Sequence, residues 1–340
     1  MGAAFATTLA VPAGIALADE AALGIAVSVW APEVSCLGRA PTALVCLAGG
    51  NMNRRYFDLK PPAEAGGGDL RPADGDESFS FAAQMVARGF VVVALDHLGL
   101  GDSTRPKDGY ALTPQLLVEA NVKATREVLE RLREGRLSKE LPALPGLRSV
   151  GVGHSMGAML TVLQQAAARQ HRALALLGFS TRGLPEYVPA PVRELPREQQ
   201  RARLVEFARQ MFREPYPVLR SSGNGAQIYG SANADPKGVA ALKAATDCLL
   251  PVPAYMSMLP GNVAPEAAQI EVPLFLGLGE RDMAGPPQDI PAAFTTSRDI
   301  TLYVQPGAGH SHFLFPTRGA LFDRIASWAQ SLPETGTMSS

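Results

Sequence analysis

Residues 151–157 read GVGHSMG and follow directly on the apolar start of a predicted strand. The five residues from Gly153 to Gly157 fit the pattern G-x-S-x-G, with Ser155 at its centre. Between a strand and a helix, this pattern forms a sharp turn that exposes the serine hydroxyl. Gly and Ser are also common in ordinary loops, so a chemical role for Ser155 depends on what the rest of the chain places around it.

Short apolar runs alternate with helical patterns on both sides of this turn. Runs of this kind are typical of strands that are covered on both faces. They read TALVCLA, FVVVAL, ALALL, VPLFLGLG and ITLYV, and helical patterns lie between them, with a long helix predicted to begin at Thr113. Two further strands are predicted between about Thr7 and Trp30. This order predicts an α/β fold with a mostly parallel central sheet flanked by helices.

The alternation stops between about Thr181 and Ile270. This stretch contains the helical patterns EQQRARLVEFARQMF and VAALKAATDCLL, joined by Pro-rich segments, and no run typical of a buried strand. A Gly-, Asp- and Pro-rich excursion is predicted at 61–77. The sequence therefore predicts a core at 1–180 and 271–333, a helical cap or lid at 181–270 and a disordered tail at 334–340.

A serine hydroxyl becomes a strong nucleophile only beside a base, which an acid in turn orients. In parallel sheets, such groups gather in the loops at the carboxyl ends of strands. His310 lies in the Gly-rich loop YVQPGAGHSHF after the last predicted strand, and Asp282 follows the strand before it in LGLGERD. These two residues are the candidate base and acid for Ser155.

Four motifs together resemble one protein family. They are GHSMG at 153–157, DHLGLGDS at 96–103, GERD at 279–282 and GAGH at 307–310, each after an apolar strand-like run. From about Pro41 to Leu332 the chain resembles a serine-nucleophile α/β-hydrolase, which places its triad in the chain order Ser, acid, His. The resemblance implies the α/β-hydrolase fold with a helical cap and a triad of Ser155, Asp282 and His310.

The same resemblance implies an oxyanion hole made of backbone N–H groups. One donor is the residue after the nucleophile, here Met156, and the second comes from the loop LAGGNMNRRYF. Most relatives have His-Gly where this chain has Gly49-Gly50. The second donor is therefore Gly50 or Asn51, and the sequence does not choose between them.

Other residues compete for the roles of base and acid. His312 stands two residues from His310 and is an alternative base, and Glu280 and Asp289 are alternative acids near Asp282. His154 is expected to be a packed neighbour, because adjacent residues on a sharp turn point apart.

Three charged residues elsewhere are expected to be structural. Asp96 follows a strand, and the family resemblance implies that it organises its loop. Arg54 and Arg55 are expected to form a solvated edge or a salt bridge, although they have the right charge to bind a substrate carboxylate.

These residues predict a serine hydrolase that cleaves a carboxylic ester or lactone of an apolar small molecule. Phe207, Met211 and Phe212 lie on an amphipathic helix of the cap and are candidates for an apolar substrate wall. Hydrolysis of a thioester, amide or carbon–carbon bond, acyl transfer, and a non-catalytic ligand receptor on the same fold are the alternatives. Fold and triad alone do not decide among these chemistries.

Composition excludes several other classes of function. Lys plus Arg number 31 against 32 Asp plus Glu, for a net charge of −1, and no long basic block indicates a nucleic-acid partner. The histidines form no convincing ligand cluster, so neither a metal nor a cofactor is predicted. No stretch has the length of a membrane span. The predicted partner is a small molecule.

Cysteine use and the N-terminus bear on the cellular compartment. The three cysteines, Cys36, Cys46 and Cys248, have no CxxC spacing, which favours a reducing, cytoplasmic environment. The apolar N-terminal segment has no Lys or Arg before Arg39, so it lacks the positive region of a signal peptide.

Overall fold

The computed structural model describes residues 5–17, 22–62, 76–218 and 233–333. The predicted tail at 334–340 and most of the predicted excursion at 61–77 lie outside the described residues. Eight strands form the centre of the fold: β1 (Phe5–Pro12), β2 (Gly24–Ala31), β3 (Thr42–Leu47), β4 (Val91–Leu95), β5 (Arg148–His154), β6 (Ala173–Leu177), β7 (Leu274–Gly279) and β8 (Ile300–Gln305).

The eight strands pair into one sheet in the order β1-β2-β4-β3-β5-β6-β7-β8. β2 pairs antiparallel with both β1 and β4, and every pair from β4 to β8 is parallel. The prediction of a mostly parallel sheet is confirmed. Because β5 lies near the middle of this order, the loop that follows it opens at the centre of the carboxyl edge.

Helices cover both faces of the sheet. Those outside the region between β6 and β7 are Phe81–Val86, Pro114–Glu134, Met156–Ala168 and Arg318–Ser331. The long second helix begins as predicted, with the Thr113 side chain accepting a hydrogen bond from the Leu116 amide and Pro114 at the first helical position. Gly135 closes it in a left-handed conformation with φ of 70°.

Alternate residues of each central strand face opposite layers. In β4, Val91, Val93 and Leu95 pack into the core that contains the long second helix. Val92 and Ala94 pack into the other core, with residues of the last helix. Side chains point to alternate faces in a strand, so a strand buried on both faces must be apolar throughout. This explains the unbroken run FVVVAL.

Helices also fill the region between β6 and β7, where the structure describes no strand at 178–218 or 233–273. They are Ala190–Arg193, Arg197–Ala202, Leu204–Phe212, Pro236–Ala244, Pro251–Met258 and Ala264–Ala267. The pattern EQQRARLVEFARQMF forms two helices rather than one, with a break at Arg203. The helical insertion is confirmed, and its exact domain boundaries stay a prediction.

The insertion packs on the sheet's own core. Leu204, Phe207 and Tyr255 of the insertion belong to the same buried cluster as residues of β3 and β4. Burial of apolar area at about 25 cal/mol per Å² therefore stabilises the insertion and the sheet layer together. No helix among the described residues is long and apolar enough to span a membrane.

A buried ion pair anchors the loop after β3 to the loop after β4. Arg54 is 6% exposed and contacts Asp96, whose side chain is fully buried, through a short Nη1–Oδ2 pair. The Arg54 amide also donates to Asp96 Oδ1 at 2.7 Å, and Arg54 Nη2 lies 2.6 Å from Asp102. Burial raises the pKa of Asp96, and the bonds and charge of Arg54 oppose that rise. Arg54 therefore compensates the negative charge of the buried Asp96 carboxylate.

We expect Arg54→Ala to lower the free energy of unfolding by about 3–5 kcal/mol, because it leaves the buried Asp96 without its partner. Arg55→Ala is the matched control, since the Arg55 side chain is 57% exposed and lies 3.6 Å from Asp102. An exposed pair of this kind contributes about 0–1 kcal/mol. Urea unfolding of both variants at neutral pH checks the prediction, and equal losses would contradict it.

Candidate active site

Ser155 lies in a strained turn between β5 and the helix Met156–Ala168. Its φ is 55° and its ψ is −122°, a conformation that residues with a side chain rarely adopt. The Ser155 amide donates to the Leu177 carbonyl at 2.8 Å, and the Ser155 carbonyl accepts from the Ala158 amide at 2.9 Å. Such strain costs about 1–3 kcal/mol and persists only where surrounding bonds impose it. These bonds present the serine side chain at the carboxyl edge of the sheet.

The two glycines of the G-x-S-x-G pattern are required by close backbone contacts. A Cβ at Gly153 would lie 2.4 Å from the Ala158 Cα, and one at Gly157 would lie 2.2 Å from the Leu47 carbonyl oxygen. Both distances are shorter than real contacts allow. Glycine at these positions lets the helix start directly against the end of β3, which sets the sharp angle of the turn.

His310 lies beside Ser155, on the loop after β8. Its Nε2 is 2.8 Å from Ser155 Oγ, and its Nδ1 is 2.8 Å from Asp282 Oδ1. In the tautomer that carries its proton on Nδ1, the ring donates to Asp282 and accepts from Ser155. The structure therefore joins the three predicted residues in one hydrogen-bonded chain.

Asp282 is held by backbone amides as well as by histidines. Its side chain is fully buried, and it accepts from the amides of Gly279 at 3.3 Å and Ala284 at 3.0 Å. Burial by itself would raise the pKa of Asp282, but the charges of His310 and His312 and the hydrogen bond from His310 outweigh it and hold the pKa well below its ordinary value. The carboxylate is therefore ionised at neutral pH, as an orienting acid requires.

The alternative acids lie elsewhere. Glu280 is exposed and accepts from the Gly307 amide at 2.7 Å. Asp289 is exposed on a short helical turn, Pro287–Ala293. Neither forms the contact with His310 that Asp282 forms.

His312, the alternative base, approaches the other oxygen of Asp282. Its Nε2 lies 3.2 Å from Asp282 Oδ2, and its side chain is fully buried. This is a contact without a hydrogen bond, and both ring nitrogens of His312 lack a hydrogen-bond partner among the described residues. Sequence reasoning did not foresee that two histidines share one carboxylate. The sequence His-Ser-His at 310–312 was the signal from which this arrangement could have been predicted.

His154 is packed beneath the site. Its ring stacks on Tyr56 with centroids 4.5 Å apart, and its Nε2 donates to the His310 carbonyl at 2.9 Å. Burial, reinforced by the charges of His310 and His312, lowers the pKa of His154 well below its ordinary value. A neutral His154 therefore supports the backbone of His310.

The Met156 amide and the loop after β3 are the predicted sources of the oxyanion donors, and Gly49 of this loop lies beside Ser155. The Met156 amide begins the helix and donates to no acceptor among the described residues. A Cβ at Gly49 would lie 2.9 Å from the Ser155 Cβ, so the loop after β3 passes directly over the nucleophile. Gly50 contacts Leu249 of the insertion, and Asn51 is left-handed with φ of 62°. The choice between Gly50 and Asn51 stays a prediction.

The cavity beside Ser155 is small. Its volume is about 40 Å³. Residues of the insertion and of the β7 loop line it together with Ser155 and His310, among them Phe179, Leu184, Ser257 and Met283. A larger cleft of about 480 Å³ lies over β1 and β2 and includes none of the predicted triad.

The residues of the predicted substrate wall pack on the core. Phe207 is 4% exposed and packs on Tyr255 with ring centroids 5.8 Å apart. Met211 and Phe212 are half-buried against the same core. None of the three is among the residues that line the cavity beside Ser155. The apolar face of this helix stabilises the insertion.

Among the described residues, no three His, Cys, Asp or Glu side chains are grouped so that they could hold a metal ion. Cys36, Cys46 and Cys248 form no disulfide.

Comparisons with known proteins agree with this fold. The sequence model of the alpha/beta hydrolase family matches residues 44–320. No curated protein sequence matches the chain. Among solved structures, the fold is similar to the peroxisomal alpha/beta-hydrolase Lpx1 of Saccharomyces cerevisiae, with a TM-score of 0.60 and 15% identity over 96% of this chain and 87% of that one.

Two further solved structures, both of enzymes and with different named activities, have folds similar to that of this chain. A monoacylglycerol lipase of Paleococcus ferrophilus has a TM-score of 0.56 and 17% identity over 90% of this chain and 97% of its own. An enol-lactonase of Burkholderia xenovorans has a TM-score of 0.54 and 16% identity over 91% of this chain and 97% of its own. At such identities the likeness shows the fold alone.

Proposed function

Because the chain belongs to the alpha/beta hydrolase family, we propose that it is a serine hydrolase that cleaves a carboxylic ester or lactone of an apolar small molecule through an acyl-enzyme on Ser155. The observation that carries the proposal is the chain of contacts from Ser155 Oγ to His310 Nε2 and from His310 Nδ1 to Asp282 Oδ1, each 2.8 Å long. A nucleophile, a base within reach of its proton and an acid that orients the base are the parts that acyl transfer needs.

In the first half of the proposed reaction, Ser155 Oγ attacks the substrate carbonyl while His310 Nε2 takes the serine proton. Asp282 stabilises the resulting imidazolium and keeps its ring in place. The carbonyl oxygen becomes an oxyanion, which the amides of Met156 and of Gly50 or Asn51 bind; each such donor typically supplies about 3 kcal/mol. His310 then protonates the leaving alkoxide, and the acyl group stays on Ser155.

In the second half, a water molecule takes the place of the alcohol. His310 removes a proton from this water as its oxygen attacks the acyl-enzyme carbonyl, and the same amides bind the second oxyanion. Collapse of that intermediate breaks the bond to Ser155 Oγ, which recovers its proton from His310, and the carboxylic acid leaves. In a lactone the alcohol and the acid are parts of one product.

The size of the cavity indicates which substrates to try first. A volume of about 40 Å³ beside Ser155 is far below the roughly 300–1,000 Å³ of a typical small-molecule site. We therefore expect short acyl groups to react best, and longer ones to require movement of lining residues such as Leu184 and Ser257. A cytoplasmic location stays a prediction from cysteine use.

The proposal is tested with the purified protein and a panel of substrates. We expect hydrolysis of 4-nitrophenyl acetate and butyrate, with an acyl adduct on the peptide containing Ser155 when the reaction is quenched early. Slower cleavage of a matched thioester and anilide would assign the chemistry to esters. Tight binding of these compounds without turnover would contradict the proposal and favour the receptor alternative.

A further inference from the structure

A short segment of the insertion crosses the loop that holds the proposed oxyanion donors. We call residues 246–250 the strap; it follows the helix Pro236–Ala244. Thr246 forms an isolated antiparallel bridge with Met52, and the Asp247 amide donates to the Asn51 carbonyl at 2.7 Å. Leu249 touches Gly50, since a Cβ at Gly50 would lie 2.9 Å from Leu249 Cδ1. The strap therefore contacts three consecutive residues of the loop, Gly50, Asn51 and Met52.

The Asp247 carboxylate ties the strap to two loops of the sheet. Its Oδ2 accepts from Asn53 Nδ2 at 3.1 Å and from the Gly101 amide at 2.7 Å. Its Oδ1 accepts from the Cys248 amide at 2.7 Å and from Arg105 Nη2 at 3.2 Å. The side chain is only 14% exposed. Four donors, one from the loop after β3, two from the loop after β4 and one from the strap itself, thus converge on one carboxylate.

These bonds hold a stretch of backbone whose conformation is unfavourable without contacts from neighbouring residues. Asn51 has a φ of 62°, which costs energy for any residue other than Gly and is tolerated best by Asn and Asp. Asp247 holds the Asn51 carbonyl on one side of this residue, and Asn53 anchors the chain two residues further on. The Asn51 amide belongs to the planar peptide unit that precedes the Asn51 Cα, and the Asn51 carbonyl belongs to the unit that follows it. Fixing this carbonyl together with the φ and ψ of Asn51 therefore also fixes the direction of the Asn51 amide.

We propose that Asp247 is a positioning residue of the oxyanion hole, which holds the Gly50–Asn51 backbone so that its N–H faces the reacting oxygen. This inference rests on the proposed function. Asp247 acts through the loop and touches no reacting atom. An oxyanion donor stabilises charge only when it is already aimed at the position of that charge. The insertion thus completes the catalytic site as well as covering it.

The isosteric variant Asp247→Asn tests the role without a large change of shape. The amide keeps one acceptor oxygen, but its NH₂ group faces donors where the second carboxylate oxygen stood. A second variant, Asn53→Asp, removes the side-chain amide that donates to Asp247, so it breaks the Asn53–Asp247 hydrogen bond at its donor. It keeps the side-chain oxygen that accepts from the Arg55 amide and places a carboxylate against Asp247.

Glu266→Gln is the matched control. Glu266 is also a carboxylate of the insertion, is 19% exposed, and accepts from Arg201 at 2.7 and 2.8 Å. It stabilises the insertion without a hydrogen bond to the loop after β3. A loss that arises from a loosened insertion alone would appear in this variant as well.

The measurements are kcat and KM for 4-nitrophenyl acetate, and inhibition by an aliphatic trifluoromethyl ketone, whose serine adduct carries an oxyanion. Hydrogen exchange of the peptide 48–54 reports on the loop itself. We expect Asp247→Asn and Asn53→Asp to lower kcat by about 10- to 100-fold, because a displacement of ~1 Å costs up to about 100-fold. KM should stay within about threefold, the inhibitor should weaken by a factor similar to that of kcat, and the peptide should exchange faster.

The proposal is overturned if Asp247→Asn lowers kcat no more than Glu266→Gln does, or if exchange of the peptide 48–54 is unchanged. If Asp247→Asn does not fold, Asn53→Asp decides by the same measurements. If the wild-type protein hydrolyses no ester and takes up no serine-directed label, the proposed function fails. Hydrogen exchange then still shows whether Asp247 holds the loop.

Discussion

Alanine in place of Ser155 is expected to remove ester hydrolysis, with kcat lowered by about 10⁴- to 10⁶-fold. The reason is chemical, because His310 Nε2 lies 2.8 Å from Ser155 Oγ and no other hydroxyl contacts this ring nitrogen among the described residues. Without Oγ no acyl-enzyme forms, and any residual rate comes from water and the oxyanion donors. The backbone bonds that impose the turn do not involve Oγ, so the variant should keep its fold.

A fluorophosphonate probe, followed by peptide mapping, checks this prediction independently of the substrate. The wild-type protein should carry one adduct on Ser155, and Ser155→Ala should carry none. Ser257→Ala is the control, since Ser257 lines the same cavity but donates to the Ala254 carbonyl at 2.7 Å and has no base. Label that persists on Ser155→Ala would show that another residue is the nucleophile.

The parts of this fold that follow simple periodicities could be predicted from the sequence. An unbroken apolar run such as FVVVAL has few alternatives to a strand covered on both faces, and Thr113 with Pro114 marks a helix start chemically. Once the parallel strands are in order, the loop after each of them must lie at the same edge of the sheet. That rule places Ser155, Asp282 and His310 at one edge, and their contacts with one another are seen in the structure.

The contacts of the insertion could not be predicted in this way. Asp247 meets Asn53 although the two are 194 residues apart, and nothing in the local sequence of the strap indicates its partner. The apolar face of the helix Leu204–Phe212 looks the same in sequence whether it lines a substrate site or packs on the core. The structure places Phe207 against Tyr255, because burial against a neighbouring helix satisfies the same pattern.

Asp282→Asn is expected to lower kcat by about 10⁴-fold while the geometry of the site stays intact. The amide can present its NH₂ group to His310 Nδ1, which then holds a lone pair there and places the proton on Nε2. In that tautomer the ring cannot accept the proton of Ser155. The rate should recover partly at high pH, where hydroxide takes the serine proton in place of His310.

Glu280→Gln is the control that decides between Asp282 and Glu280 as the acid. Glu280 accepts from the Gly307 amide at 2.7 Å and is exposed, so its replacement should change kcat by less than about threefold. The measurement is the steady-state rate of Asp282→Asn and of Glu280→Gln between pH 6 and about 10. A large loss in Glu280→Gln with little loss in Asp282→Asn would reverse the assignment. Equal and moderate losses would mean that His310 is oriented by its surroundings, among them the Gly178 backbone against which its ring lies.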